Sequence, residues 1–280
     1  MALRFRVLGS GSKGNSTLVE GGGTRILLDA GLGPRILAER LEEAGVEPGS
    51  LDAILLSHEH SDHAAGALRF SARWGVPIHA CPSVHVVLRD GKVRAPSFGV
   101  LEPTGPHSVG SLTVETFRVH HDARDPVGFL VSHEGASLGH ATDLGLLTGT
   151  VAAALASCDA LLLEANYDPI LLRNGPYPWA LKERILGDLG HLANGDVASY
   201  FEQGGSPACR ALVLAHLSEN NNHPELALRA ASEGLHRAGR SGLHVEAADA
   251  RGTRWLEVPS AATPRPRPTQ ARLFCSGRMR

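Results

Sequence analysis

Short apolar runs alternate with turn residues along this chain, and their spacing shifts between strand and helix periods. Leu3–Leu8 predicts a strand, followed by a Gly/Ser-rich loop over Gly9–Asn15. Thr17–Glu20 and Thr24–Asp29 flank Gly21-Gly22-Gly23, a strong hairpin signal. Pro34 to Ala44 has helical periodicity, with Ile36, Leu37 and Leu41 on one face and Gly45 as the C-terminal stop. Ala53–Leu56 is a short apolar run of the buried-strand type that ends at Ser57. Further strands are predicted at Pro77–Ala80, Leu112–Val119, Val127–Ser132, Ala136–His140, Ala160–Glu164 and Ala211–Ala215. Helices are predicted at Leu68–Trp74, Leu147–Ala156, Trp179–Leu186, Asp196–Glu202 and Pro224–Ala238. Hairpins come early and again in mid-chain, with helices between strands elsewhere. That order predicts an α+β fold of two mixed sheets packed face to face with helices outside, not a doubly wound parallel sheet.

Composition narrows the setting. The 280 residues, 42% apolar, can bury a large core, and 32 glycines with few aromatics suit many tight turns. A net charge of −2 leaves no general electrostatic footprint for nucleic acid, so a polyanion would need a local patch or bound metal. Met1–Gly14 lacks the apolar core of a signal peptide. No stretch reaches the roughly 20 apolar residues of a membrane span. Cys81, Cys158, Cys209 and Cys275 lack paired spacing and read as reduced thiols, so the expected setting is cytoplasmic. One domain is expected over residues 1–258. Residues 259–280 form a Pro/Arg-rich segment without acids, read as a disordered tail or a weak phosphate-holding arm.

The most informative stretch is Ile54-Leu55-Leu56-Ser57-His58-Glu59-His60-Ser61-Asp62-His63, where an apolar strand runs out into four possible metal ligands within six residues. Extended backbone would put His58 and His60 on one face, while Asp62 and His63 fall on the turn into the next helix and face a second position. A lone His-x-His occurs often by chance; the longer pattern after a buried strand is far more specific.

The segment His58-x-His60-x-Asp62-His63 resembles the signature of the metallo-β-lactamase-fold hydrolases. Asp29 resembles that superfamily's early acid, Asp143 in Gly-His-Ala-Thr-Asp its bridging aspartate, and His216 its late histidine ligand. His120 and His121 compete for the intervening ligand. The closer resemblance is to the WalJ/YycJ-like branch, through Leu8–Ser16, His121-Asp122-Ala123, Pro126–Phe129, Gly190–Asn194 and His216–Asn221. The resemblance implies an αββα sandwich and favours His121. It further implies DNA phosphodiester cleavage, of exonuclease type, with a proposed link to DNA repair and cell-wall signalling.

These readings converge on a binuclear centre, with His58, His60 and His121 on one ion, Asp62, His63 and His216 on the other, and Asp143 between. Zinc is expected, and manganese or iron suits the same donors. Such ions would activate water for attack and leave the site net positive toward an anionic substrate. Asp62 is expected also to orient the attacking water, and His191 to act as an acid or donate to a phosphate. Asp29 and Asp122 are expected to fix the ligand rings. Other readings remain for single residues: Asp143 as a helix N-cap before Leu144–Leu147, and His216 as an ordinary strand-end histidine, while Glu164 resembles the acidic residue of related nucleases and reads equally as one half of a buried charge pair. Gly9–Asn15 lacks the Gly-Lys-Ser/Thr of a nucleotide loop and reads as a tight turn. Ser57 lacks a nucleophile elbow. For the whole chain, a small-molecule thioester, lactone or phosphodiester hydrolase and a catalytically silent metal-binding regulator stand as alternatives.

Overall fold

The computed structural model describes residues 1–89, 95 and 97–260. In the first sheet β1 (Arg4–Gly9), β2 (Ser16–Gly21) and β3 (Thr24–Leu28) pair antiparallel. Next to them β4 (Ala53–Leu55), β5 (Ile78–Ala80) and β6 (Phe98–Val100) continue from β3 in parallel. The second sheet repeats that pattern. β7 (Gly105–Val109), β8 (Leu112–Arg118), β9 (Val127–His133) and β10 (Ala136–Ala141) are antiparallel. β11 (Ala160–Glu164), β12 (Ala211–Ala215) and β13 (His244–Ala247) then run parallel to β10. A short β14 (Leu256–Glu257) pairs with the free edge of β1.

Strand alternation explains the layering. Ala160 and Leu162 of β11, with Ala211, Val213 and Ala215 of β12, join a core that also holds Leu28, Ile54 and Leu55 of the first sheet. The intervening Leu161, Leu163, Leu212 and Leu214 face the other way, into a cluster with Val151, Leu155, Val197, Phe201, Ala227 and Leu235. Strands apolar on both faces must be covered twice. On the second sheet the outer cover comes from α5 (Gly149–Leu155), α8 (Asn194–Glu202) and α9 (Pro224–Arg237). Leu37 and Leu41 of α1 (Pro34–Glu43), Phe70 of α3 (Ala67–Trp74) and Val84 of α4 (Pro82–Arg89) join the core on the side of the first sheet. The result is the expected αββα sandwich.

Several expectations change. Ile36 is 44% exposed, and the buried face of α1 is Leu37, Ala38 and Leu41. β4 ends at Leu55, so His58 and His60 lie beyond the strand and strand alternation does not orient them. No helix follows Asp143; Thr148 caps α5 by accepting from the Val151 amide. The Pro/Arg-rich tail and Cys275 lie outside the described residues apart from Pro259 and Ser260, whereas Cys81, Cys158 and Cys209 are buried and unpaired. Among the described residues no helix is long and apolar enough to cross a membrane.

Candidate metal centre

The parallel strands end on one rim of the sandwich, the place where open α/β sheets gather their ligands. Asp29 follows β3, His58 to His63 follow β4, Asp143 follows β10, Glu164 ends β11 and His216 follows β12. Asp62 and His63 ride on a four-residue helix, α2 (Ser61–Ala64). Asp29, Asp143 and His216 hold φ of 60°, 56° and 55°, a left-handed conformation that few residues other than glycine adopt. Three such residues at three strand ends, all at one site, are local strain that the surrounding bonds must sustain.

The predicted ligands come together as two neighbouring groups. His58, His60 and His121 offer donor atoms within 4.8 Å of one another, and so do Asp62, His63, Asp143 and His216. Asp143 lies between them: its Oδ1 is 3.7 Å from His121 Nε2, and its Oδ2 is 2.9 Å from His63 Nε2. His121 is buried within this cluster and His120 is exposed, which places His121 at the centre and His120 outside it.

Each buried ring is oriented from behind. The Asp29 and Glu164 carboxylates and the Gly190 carbonyl only accept, so the ring N–H groups donate to them. His63 Nδ1 donates to Asp29 Oδ2 at 2.8 Å, His121 Nδ1 to the Gly190 carbonyl at 3.2 Å, and His216 Nδ1 to Glu164 Oε1 at 3.0 Å. Ser57 Oγ donates to Asp29 and accepts from His58 Nδ1 at 2.9 Å. In each case the second ring nitrogen is turned toward the cluster, as second-layer partners do for metal-bound imidazoles. Asp122 behaves otherwise: it lies beside His121 Nε2 at 3.4 Å, and its Oδ2 accepts from Arg184 Nε.

The donor set fits divalent cations. His58 Nε2 is buried without a hydrogen-bond partner, a costly state that a coordinated ion removes, and Asp143 Oδ2 is buried against the His63 ring at 2.9 Å. The local field agrees. Burial works against a charged His216, yet the Asp143, Asp62 and Glu164 carboxylates push it up to about 10. Burial likewise opposes a charged His63, which Asp143 and Asp29 hold well above its ordinary value. The carboxylates thus favour positive charge where the two groups meet. His58, with burial dominant and His63 adding to it, is held well below its ordinary value, as a neutral donor.

Spacing did not reveal several contributors. Asn15 Nδ2 lies 3.2 Å from Asp62 Oδ2 and 3.0 Å from His63 Nε2, and Ser10 Oγ accepts from the His216 amide at 2.7 Å. The Gly9–Asn15 turn is therefore part of the site, and its glycine-rich composition was the available signal. Asn166 Nδ2 donates to the His216 carbonyl at 2.8 Å. Glu164 serves both His216 and His191: its Oε1 is 2.7 Å from His191 Nδ1, while Oε2 accepts from the Leu144 and Leu192 amides. His191 lies at the mouth of the centre, in a cleft of about 230 Å³ also lined by Ser12, Tyr177, Arg184 and Ser218.

Comparison with known proteins agrees with this geometry. The β-lactamase superfamily domain matches residues 24–217. Exodeoxyribonuclease WalJ of Streptococcus pneumoniae is 35% identical over 231 residues, covering 81% of this chain and 86% of the relative. Exodeoxyribonuclease YycJ of Bacillus anthracis is 31% identical over 241 residues, covering 85% and 91%. The metallo-β-lactamase fold protein YhfI of Bacillus subtilis superposes with a TM-score of 0.70 at 17% identity, over 92% of this chain and all of that one. With its αββα layers, its strand-end cluster and these relatives, the chain belongs to the β-lactamase superfamily, in the branch that holds WalJ and YycJ.

Proposed function

We propose that this protein is a metal-dependent phosphodiesterase that degrades DNA from an end, in the cytoplasm, with two zinc ions as its resident metals. The observation that carries the reading is Asp143 standing between two complete donor groups, His58/His60/His121 and Asp62/His63/His216. The names of its relatives supply the substrate. Manganese or iron would suit the same donors. Bound divalent ions would supply Lewis acidity, lowering the pKa of water from about 15.7 toward 7 and neutralising charge on phosphoryl oxygens.

The chain's own residues supply the rest. Burial alone would raise the Asp62 carboxyl, but bonds from His216 and His63 hold it well below the usual carboxylate range. It therefore stays an anion able to accept a hydrogen bond from the attacking water. Burial would strip His191 of its proton, and Glu164 overrides that through its charge and hydrogen bond. With Nδ1 committed to Glu164, His191 keeps Nε2 for donation to the departing oxygen. A compact substrate is the second reading, because a cleft of about 230 Å³ falls below the usual range of ligand pockets.

Metal-reconstituted protein should shorten 5′-labelled single- or double-stranded DNA progressively. Asp62→Ala should lower that rate at least about a hundredfold while leaving the circular dichroism spectrum unchanged. Absence of DNA degradation together with robust turnover of a thioester panel would overturn the nuclease reading.

A further inference from the structure

The cleft contains one cation that the centre does not use. Arg184 is the only Lys or Arg among the described residues lining it, alongside Asp62, Asp122 and Asp143. Its Nε donates to Asp122 Oδ2, whereas its two terminal nitrogens have no partner among the described residues, and the side chain is 57% exposed. A guanidinium is a planar fork with several N–H edges. Asp122 thus occupies one edge, and the terminal nitrogens of this cleft-lining side chain stay available to a ligand.

The helix beneath Arg184 is fixed. On α7 (Trp179–Leu186), Leu181 lies three residues before Arg184 and four before Ile185, and all three line the same cleft. Lys182 on that helix is buried and donates through Nζ to the Arg173 and Gly175 carbonyls at 2.8 Å each. Nearby, Tyr177 Oη accepts from Asn220 Nδ2 at 2.9 Å, which leaves its own hydroxyl proton to donate. Ser12 and Ser218 complete the lining with neutral donors. A pre-oriented arginine on a rigid helix, flanked by hydroxyls, matches the tetrahedral oxygens of a phosphate.

We infer that Arg184 is a phosphate-holding residue of this cleft, gripping a backbone phosphate next to the one that lies on the metal centre. The inference rests on the nuclease reading and sharpens it: the site takes a strand carrying consecutive phosphates, not an isolated ester. Arg184 does not enter either donor group, and the Asp122 carboxylate stands between it and His121. Its contact is with the backbone, so it carries no base preference.

Fluorescence anisotropy of the holoenzyme with short, labelled, phosphorothioate-linked oligothymidylate and oligoadenylate tests this, across about 50 to 200 mM salt. Arg184→Ala should raise Kd about tenfold for both sequences. It should also make the slope of log K against log salt shallower by about 0.7, the share of one phosphate contact on a single strand. Arg184→Lys should restore most of the slope but not the full affinity, because it keeps the charge and loses the fork. Wild-type binding with an unchanged slope in Arg184→Ala overturns the role of Arg184 alone. So does affinity that falls only in step with metal content, which would mean that Arg184 acts through Asp122 on His121. A wild-type protein that binds neither oligonucleotide while turning over thioesters overturns the nuclease reading itself.

Discussion

For His58, His63, His121 and His216 a neighbour makes the choice between two ring nitrogens. Asp29 takes an N–H from His63, the Gly190 carbonyl one from His121, and Glu164 one each from His216 and His191, which leaves the other ring nitrogen of each for the cleft. The carboxylates that would hold cations also hold protons when the cations are gone, and this has a pH signature. His63 and His216 are raised in the fold, so their contribution is fully present below the unfolded value of about 6.5 and is lost as pH rises through the folded value, about 10 for His216. His58 and His121 are lowered by burial, so their effect falls below that window. Metal-stripped protein should therefore melt at progressively lower temperature from about pH 6.5 toward 10. A melting temperature that is flat or rising there would contradict the assignment. At this scale His58, His60, Asp62 and His63 were legible because four possible ligands crowd into six residues. Asn15, Ser57, Asn166 and Arg184 were not, because an amide, a hydroxyl or a lone arginine has no distinctive spacing until the fold brings it to the rim. The choice between His120 and His121 turns on which of two adjacent side chains faces inward, which spacing alone left open.

The elements position the site through where they stop. β3, β10 and β12 end at or just before residues with left-handed backbone, and those ends turn Asp29, Asp143 and His216 into one cleft. Close approach between the loops after β3 and β4 matters as much. Gly31 donates to the Asn15 carbonyl at 3.0 Å, and a Cβ there would sit 1.7 Å from the Asp62 carbonyl oxygen. Gly31→Ala should cost about 1–3 kcal/mol by overpacking. By shifting Asp62 it should also lower turnover about a hundredfold, since small misplacements at reacting groups carry that penalty. Chemical denaturation and steady-state kinetics measure the two effects, and a variant unchanged in both would refute the packing account. The apolar strands β4, β11 and β12 and the helices α1, α3, α5, α7, α8 and α9 were legible to within a few residues, whereas α4 and β7 were not predicted. Other missed elements have physical reasons. β13 is a polar edge strand, and β6 and β14 are three and two residues long. α6 (Pro169–Asn174) is only six residues, although the Asp168 cap before Pro169 marks its start.

At the scale of the molecule, the same progression from antiparallel to parallel pairing occurs in both sheets and delivers ligands from each half to one rim. His58, His60, Asp62 and His63 come from the first sheet's half, and His121, Asp143 and His216 from the second. The centre is thus assembled only when the sandwich closes. Its overall charge is set locally: a chain of net charge −2 can still present a cationic site to a polyanion once two divalent ions outweigh Asp62 and Asp143. Elemental analysis of the purified protein, paired with DNA degradation before and after chelation, tests the binuclear account most directly. Two divalent ions per chain, with degradation abolished by chelation and restored by adding metal back, is the predicted result; DNA degradation that persists in fully metal-free protein would contradict it.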